Sequence, residues 1–126
     1  MDTGKLTTKQ VGDAAEALAL AHLERHGLRL VQRNYRVARG PGSRGGEIDL
    51  VMRDVDGTLV FVEVRRRSTA DRGGAAASVD AAKQRKIVFA ARHFVNRLSA
   101  MPPCRFDVVA IDDRQVHWLR AAFDVQ

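Results

Sequence analysis

At 126 residues the chain has the length of one domain, enough to bury a core without metal or disulfide staples. With 45% hydrophobic and 29% charged residues it reads as a globular protein, with no apolar run long enough to span a membrane and no secretory signal in the polar opening MDTGKLTTKQ. The 21 Lys and Arg against 15 Asp and Glu give a net charge of +6, which suits a polyanionic partner such as nucleic acid and is met equally well by solvated arginines.

Residues 8 to 27, TKQVGDAAEALALAHLERHG, are good helix formers, and Gly27 closes them in a C-cap position. Gly12, Ala15, Ala19 and Leu23 recur at helical spacing, with Glu16 on the flank of that stripe. LRLVQRNY, from Leu28 to Tyr35, predicts a first strand. The loop VARGPGSRGG follows, carrying Arg39 and Arg44. Two strands are expected at 46–53 and 58–66, with Asp56-Gly57 as their turn signal. RSTADRGGAAA reads as a second loop, after which Ser78 or Asp80 can cap a helix running to about Leu98. Ile87, Ala90, Ala91, Phe94, Val95 and Leu98 form its apolar stripe. Past Pro102-Pro103, CRFDVVAI predicts a fourth strand and QVHWLRAAF a fifth, with a terminal helical turn as an alternative ending. The order α-β-β-β-α-β-β implies one α/β domain over residues 1–126, a mixed sheet flanked by helices, with the second helix as a crossover.

Two carboxylates interrupt the apolar strands, Asp49 in GEIDL and Glu63 in FVEVR. Alternation places Ile48, Leu50 and Met52 on one face of the first of these strands, with Glu47, Asp49 and Val51 on the other. An odd-numbered turn centred on Asp56 sets Asp49 opposite Glu63; a two-residue turn puts them on opposite faces. Facing carboxylates have Cβ atoms about 4.5–5.5 Å apart, and their repulsion is reversed by a divalent cation. Hard oxygen donors suit Mg²⁺ or Mn²⁺ with waters completing the shell. The alternative is ion pairing with Arg65, Arg66 or Arg67, which lie close in sequence. Lys83, one turn before Ile87 on the apolar side of its helix, is either a snorkelling lysine or a cation turned toward a site.

The pattern GEIDL, hairpin, FVEVR resembles the motif of the PD-(D/E)xK nuclease superfamily, whose fold is restriction-endonuclease-like. GDAAEALA, RNYR, GGEIDLVMRD, LVFVEVRRRS, GGAAASVDAAKQRKI and CRFDVVAI together resemble the YraN-like family of small bacterial proteins, nearly end to end. The resemblance implies metal ligation by Asp49, Glu63 and the backbone carbonyl of Val64. It places the superfamily lysine on Arg65, a departure, because a guanidinium stays protonated and cannot act as a general base. Holliday-junction resolvases of this fold carry an acid on the first helix, which falls on Glu16. Other superfamily members take the lysine from the later helix, which falls on Lys83. Glu47, on the face of Asp49 at the start of its strand, is expected to be solvated, with a second metal ion as the alternative.

These resemblances imply a Mg²⁺- or Mn²⁺-dependent DNA endonuclease, cytoplasmic and without a membrane, acting on branched or damaged DNA. Arg39, Arg44, Arg66 and Arg67 would grip backbone phosphates without reading bases. Two alternatives stay open: a non-catalytic nucleic-acid-binding or protein-interaction module on a nuclease scaffold, and a nuclease that needs an activating protein partner. His22, His26, His93 and His117 lack metal-ligand spacing, and Asp107 is expected to form a salt bridge with Arg105 or with a neighbouring strand. The lone Cys104 has no partner in the chain and fits a reducing compartment.

Overall fold

The computed structural model describes residues 5–42, 45–67, 79–113 and 115–125, with the side chain of Arg67 outside that description. Helix α1 spans Thr8–Arg25. It begins at a reciprocal cap: the Gln10 amide donates to Thr7 Oγ1 at 3.0 Å, and the Thr7 amide donates to Gln10 Oε1 at 2.8 Å. It ends where Gly27 turns left-handed at φ 94°, which lets the Leu28 amide reach back to the Leu23 carbonyl at 3.1 Å. The glycine expected to close the helix does so, two residues beyond its last helical residue.

Strands β1 (Arg29–Val37), β2 (Gly46–Arg53) and β3 (Leu59–Arg67) form an antiparallel meander. Helix α2 (Ala81–Val95) crosses over to β4 (Cys104–Asp112), which lies parallel to β3, and β5 (Gln115–Phe123) pairs antiparallel with β4. The sheet order is β1-β2-β3-β4-β5, the α/β arrangement with mixed sheet expected from the element order. Asp80 caps α2 by accepting from the Lys83 amide at 2.8 Å; the other candidate cap, Ser78, lies outside the described residues. The helix stops at Val95 rather than Leu98, because the Arg97 and Leu98 amides bond three residues back, to Phe94 and Val95. β5 remains a strand to Phe123, without the alternative helical ending.

Each helix covers one face of the sheet. Ala15, Ala19 and Leu23 of α1 pack with Leu50, Met52, Val60, Val62, Val109 and Ile111. Ile87, Ala90, Ala91, Phe94 and Val95 of α2 pack with Val51, Phe61, Phe106, Val108 and Ala110. Phe61 stacks on Phe106, and Phe106 on Phe123, with centroids 5.5 and 5.1 Å apart. No described helix is long and apolar enough to cross a membrane.

One face assignment is corrected. Ile48 packs with Val51 and Tyr35 on the α2 side, not with Leu50 and Met52 on the α1 side. The ladder pairs Arg33 with Leu50 and Tyr35 with Ile48, but Asn34 and Asp49 between them do not pair. Asn34 takes a left-handed φ of 51°, a conformation that asparagine tolerates better than most residues. Both strands change phase there, and strict alternation fails at Asp49.

Candidate functional site

The β2–β3 turn is the odd-numbered one. Leu50 pairs with Val62, Val51 with Phe61 and Met52 with Val60, a register that brings Asp49 level with Glu63. Backbone pairing ends at Leu50, however, and the Val64 amide donates instead to Asp49 Oδ2 at 2.8 Å. The Asp49 carboxyl thus takes the place of a strand carbonyl where the two strands part. Its other neighbour is the Glu63 carboxyl, within hydrogen-bonding reach.

Glu63 is 4% exposed, one of two buried charged residues among the described residues. Arg65 Nη1 and Lys83 Nζ approach its Oε2 at 3.3 and 3.7 Å. Lys83 arrives from α2, whose approach to β2 depends on Gly46. A Cβ there would meet the Lys86 carbonyl oxygen at 2.4 Å and Ala90 Cβ at 3.2 Å, so only glycine allows this helix–strand distance. From the other side of the sheet α1 supplies Glu16, whose Oε1 is buried without a hydrogen-bond partner and has Arg33 Nη2 at 3.7 Å.

Burial pushes the Glu63 carboxyl up from 4.5 to about 8, and the charge of Asp49 adds to it; Lys83 and Arg65 only partly offset these effects. Burial also raises Asp49, against the Val64 amide and the Glu63 hydrogen bond. Glu16 is raised by burial and by the charge of Asp49. Near neutral pH the Asp49–Glu63 pair therefore holds one shared proton, the expected behaviour of two carboxyls that cannot both ionise at low cost. A divalent cation would replace that proton.

The donor set is made of hard oxygens, and Glu16 Oε1 is an orphaned buried acceptor beside it, so these residues fit Mg²⁺ or Mn²⁺. Among the described residues no three His, Cys, Asp or Glu side chains converge tightly enough to enclose an ion. An ion here would take Asp49, Glu63 and a backbone carbonyl such as that of Val64, and would keep several waters. Mg²⁺ commonly binds in this way.

The geometry thus brings Asp49, Glu63, Val64, Arg65 and Lys83 together and sets Glu16, paired with Arg33, within electrostatic reach of Asp49. Of the arginines assigned to phosphate, Arg39 is exposed and lines a cavity of about 480 Å³ with Lys83, while Arg66 is exposed near the end of β3. Arg44 and the Arg67 side chain lie outside the described residues. Glu47, expected to be solvated, is 38% exposed and receives a hydrogen bond from Arg36 Nε at 3.0 Å; its charge also raises both Glu16 and Asp49. Arg36 and Lys86 line the same cavity, and sequence reasoning does not single them out. For Lys86 the signal is present in the sequence, one helical turn after Lys83.

Asp107 follows the salt-bridge reading. It is fully buried and takes Arg105 Nε at 3.0 Å, Arg105 Nη2 at 3.1 Å, Trp118 Nε1 at 2.9 Å and the Ala121 amide at 2.9 Å. All of its acceptor capacity serves the β4–β5 pair, and the capture of the Ala121 amide coincides with a register shift between Phe106 and Val108.

The family model described as Uncharacterised protein family UPF0102 matches residues 15–111. A UPF0102 protein of Methylibium petroleiphilum is 66% identical over 119 residues, 94% of this chain and 98% of the relative. Those of Albidiferax ferrireducens and Paracidovorax citrulli are 61% and 60% identical, covering 94% and 95% of this chain and 90% and 87% of theirs. The matched span runs from Ala15 within α1 to Ile111 in β4 and includes Glu63 and the acids and cations around it, and the chain belongs to the UPF0102 family, also called YraN-like.

Proposed function

We propose that this protein is a metal-dependent nuclease that hydrolyses phosphodiester bonds in DNA. The observation that carries the reading is the Asp49–Glu63 pair at the parting of β2 and β3, Glu63 buried and Asp49 half-buried, faced by two cations from different elements. A fold that needed only packing would place Val or Ile at these positions, since burying two carboxyls together costs several kcal/mol. Asp49, Glu63 and the Val64 carbonyl would hold the ion, with Glu16 and Glu47 close by. When bound, such an ion polarises a phosphoryl oxygen and makes a coordinated water more acidic.

The chain's own groups supply the rest. Lys83 Nζ stands beside the acids and neutralises charge that builds on the phosphoryl oxygens. Arg65 holds a phosphate oxygen through fixed guanidinium donors without exchanging a proton. The Val64 amide keeps Asp49 oriented. Arg39 and Arg66 contact flanking phosphates and give affinity without sequence preference.

A second reading, a binding module without turnover or one activated by a protein partner, is favoured by Arg65, which occupies the lysine position and already bonds Glu63. One experiment separates the two. Linear, nicked, flapped and four-way DNAs are incubated with Mg²⁺, Mn²⁺ or EDTA, using wild type, Asp49→Asn and Glu63→Gln. The nuclease reading expects cleavage by wild type with metal and at least a hundredfold loss in both variants. Binding of the same DNAs without cleavage under any condition would favour the module.

A further inference from the structure

Three adjoining cavities run from the acidic site along the outer side of α2. The first, of about 480 Å³, is lined by Arg36, Arg39, Lys83 and Lys86 beside Glu47. The second, of about 370 Å³, shares Gly45 and Lys86 with it and adds Arg85 and Phe89. The third, of about 590 Å³, shares Arg85 and Phe89 with the second and reaches Arg92. Together they make a groove about 14 Å long on α2, from Lys83 to Arg92 at the helical rise.

Two properties of this groove need a cause. Arg39, Arg85, Lys86 and Arg92 are exposed, and among the described residues none of the four makes a salt bridge; the acids beside the groove are Glu47, already bonded to Arg36, and Asp124 at its far end. A solvated helix face ordinarily alternates charge, whereas this one is a single-sign track. Phe89 lies off the stripe of Ile87, Ala90, Ala91, Phe94 and Val95, only half-buried, with cavities on both sides. It separates Arg85 from Arg92 along the helix.

A row of cations interrupted by one accessible aromatic ring matches a strand of unpaired nucleotides, in which phosphates and base faces are both available. A duplex keeps its bases stacked inside along its length, and only the outer face of each terminal pair is open to a ring. We infer that the groove along α2 seats a single-stranded arm of the nucleic acid, with its phosphates on Arg39, Lys86, Arg85 and Arg92 and one base stacked on Phe89. The inference rests on the nucleic-acid-directed reading above and not on catalysis. It makes the preferred substrate a duplex with an unpaired arm, the duplex end held at Glu63 and the arm led away along α2.

The test is binding in EDTA, where cleavage plays no part. Fluorescence anisotropy is measured with labelled oligo(dT) and with a blunt duplex of equal length, across a KCl series. Phe89→Leu preserves apolar contact and removes the ring face, and should weaken oligo(dT) binding roughly tenfold while leaving the duplex within about twofold. Phe89→Trp should retain or strengthen it. The Arg85→Ala/Arg92→Ala double variant should lower the log–log salt slope on oligo(dT) by about 1.4, from two lost contacts on a single strand. Thermal melts in the same buffer confirm that each variant is folded. Wild-type oligo(dT) binding by Phe89→Leu, or equal losses on duplex and single strand, would overturn the inference. So would displacement of oligo(dT) by polyglutamate as readily as by unlabelled oligo(dT), the behaviour of a face for acidic peptides. Loss of Phe89-dependent binding with cleavage intact counts against the groove alone; absence of cleavage with that binding intact counts against the nuclease alone.

Discussion

Asp49→Asn is the substitution that most directly tests the acidic pair. Asparagine keeps an oxygen to accept the Val64 amide, now held at 2.8 Å, and removes the negative charge beside Glu63. In the wild type Glu63 titrates near 8 instead of 4.5, with burial and Asp49 as the two leading causes. Between those values the folded state binds a proton that the unfolded state has released, so this group's contribution to stability is full below about pH 4.5 and is lost as pH rises through about 8. Each unit in the window costs up to about 1.4 kcal/mol, a total on the order of a few kcal/mol. The substitution removes the Coulomb part and offers an amide donor to Glu63. The variant's pH profile should flatten, and at pH 8 without metal it should be more stable than wild type by roughly 1–2 kcal/mol. At this chain length that is a melting-temperature rise of about 4–8 °C.

Metal supplies the second arm. At about 100 times its dissociation constant an ion that binds only the folded state adds about 2.7 kcal/mol, roughly 10 °C. The gain should be larger at pH 8 than at pH 6, because the ion displaces the shared proton. The Asp49→Asn variant should lose most of it. The assay is circular-dichroism melting of both proteins from pH 5.5 to 8.5 in EDTA and in MnCl₂, read as the difference between them so that groups common to both cancel. A variant less stable than wild type at pH 8, together with a wild type indifferent to Mn²⁺, would refute the reasoning and make Asp49 a structural cap for Val64.

Gly46→Ala should push α2 away from β2, costing about 1–3 kcal/mol in a urea melt and reducing the Mn²⁺ shift, because Lys83 moves with the helix. Asp107→Ala strips four hydrogen bonds from β4 and β5 and leaves Arg105 with Asp54 alone, a loss of about 3–5 kcal/mol by denaturant titration. Its DNA binding at low temperature should stay unchanged. Gly27→Ala, at φ 94°, should cost about 1 kcal/mol or slightly more by thermal melt, with no effect on metal response.

The order of elements was readable because each strand and helix carries its own period, and the pairing of Asp49 with Glu63 because the turn between them has an odd count. Helix α2 ends three residues short of Leu98 because Leu98 remains on the apolar stripe after the backbone has tightened, and side-chain periodicity does not register that change. The face of Ile48 was out of reach for a deeper reason. Period-two reading assumes an unbroken pleat, and here Asn34 at φ 51° lets β1 and β2 change phase together at a pair that lies next to each other in space and fifteen residues apart in the chain.

That break is also what builds the site. With strict alternation, Ile48 would share a face with Leu50 and Met52 under α1. The change of phase instead puts Ile48 and Gly46 under α2, where Gly46 admits the close approach that carries Lys83 to Glu63. Glu47, at the start of β2, lines the cavity beside α2, and its charge also reaches Glu16. Asp49, at the pivot, has no regular ladder partner, so its carboxyl is left to bind the Val64 amide and to face Glu63. One irregular residue pair thus lets Asp49 meet Glu63 beside a cation from the crossover helix, with Glu16 of α1 within electrostatic reach of Asp49. The same irregularity that sets a limit on reading the strand from its sequence frees the Asp49 carboxyl from the ladder and turns it to the Val64 amide and to Glu63.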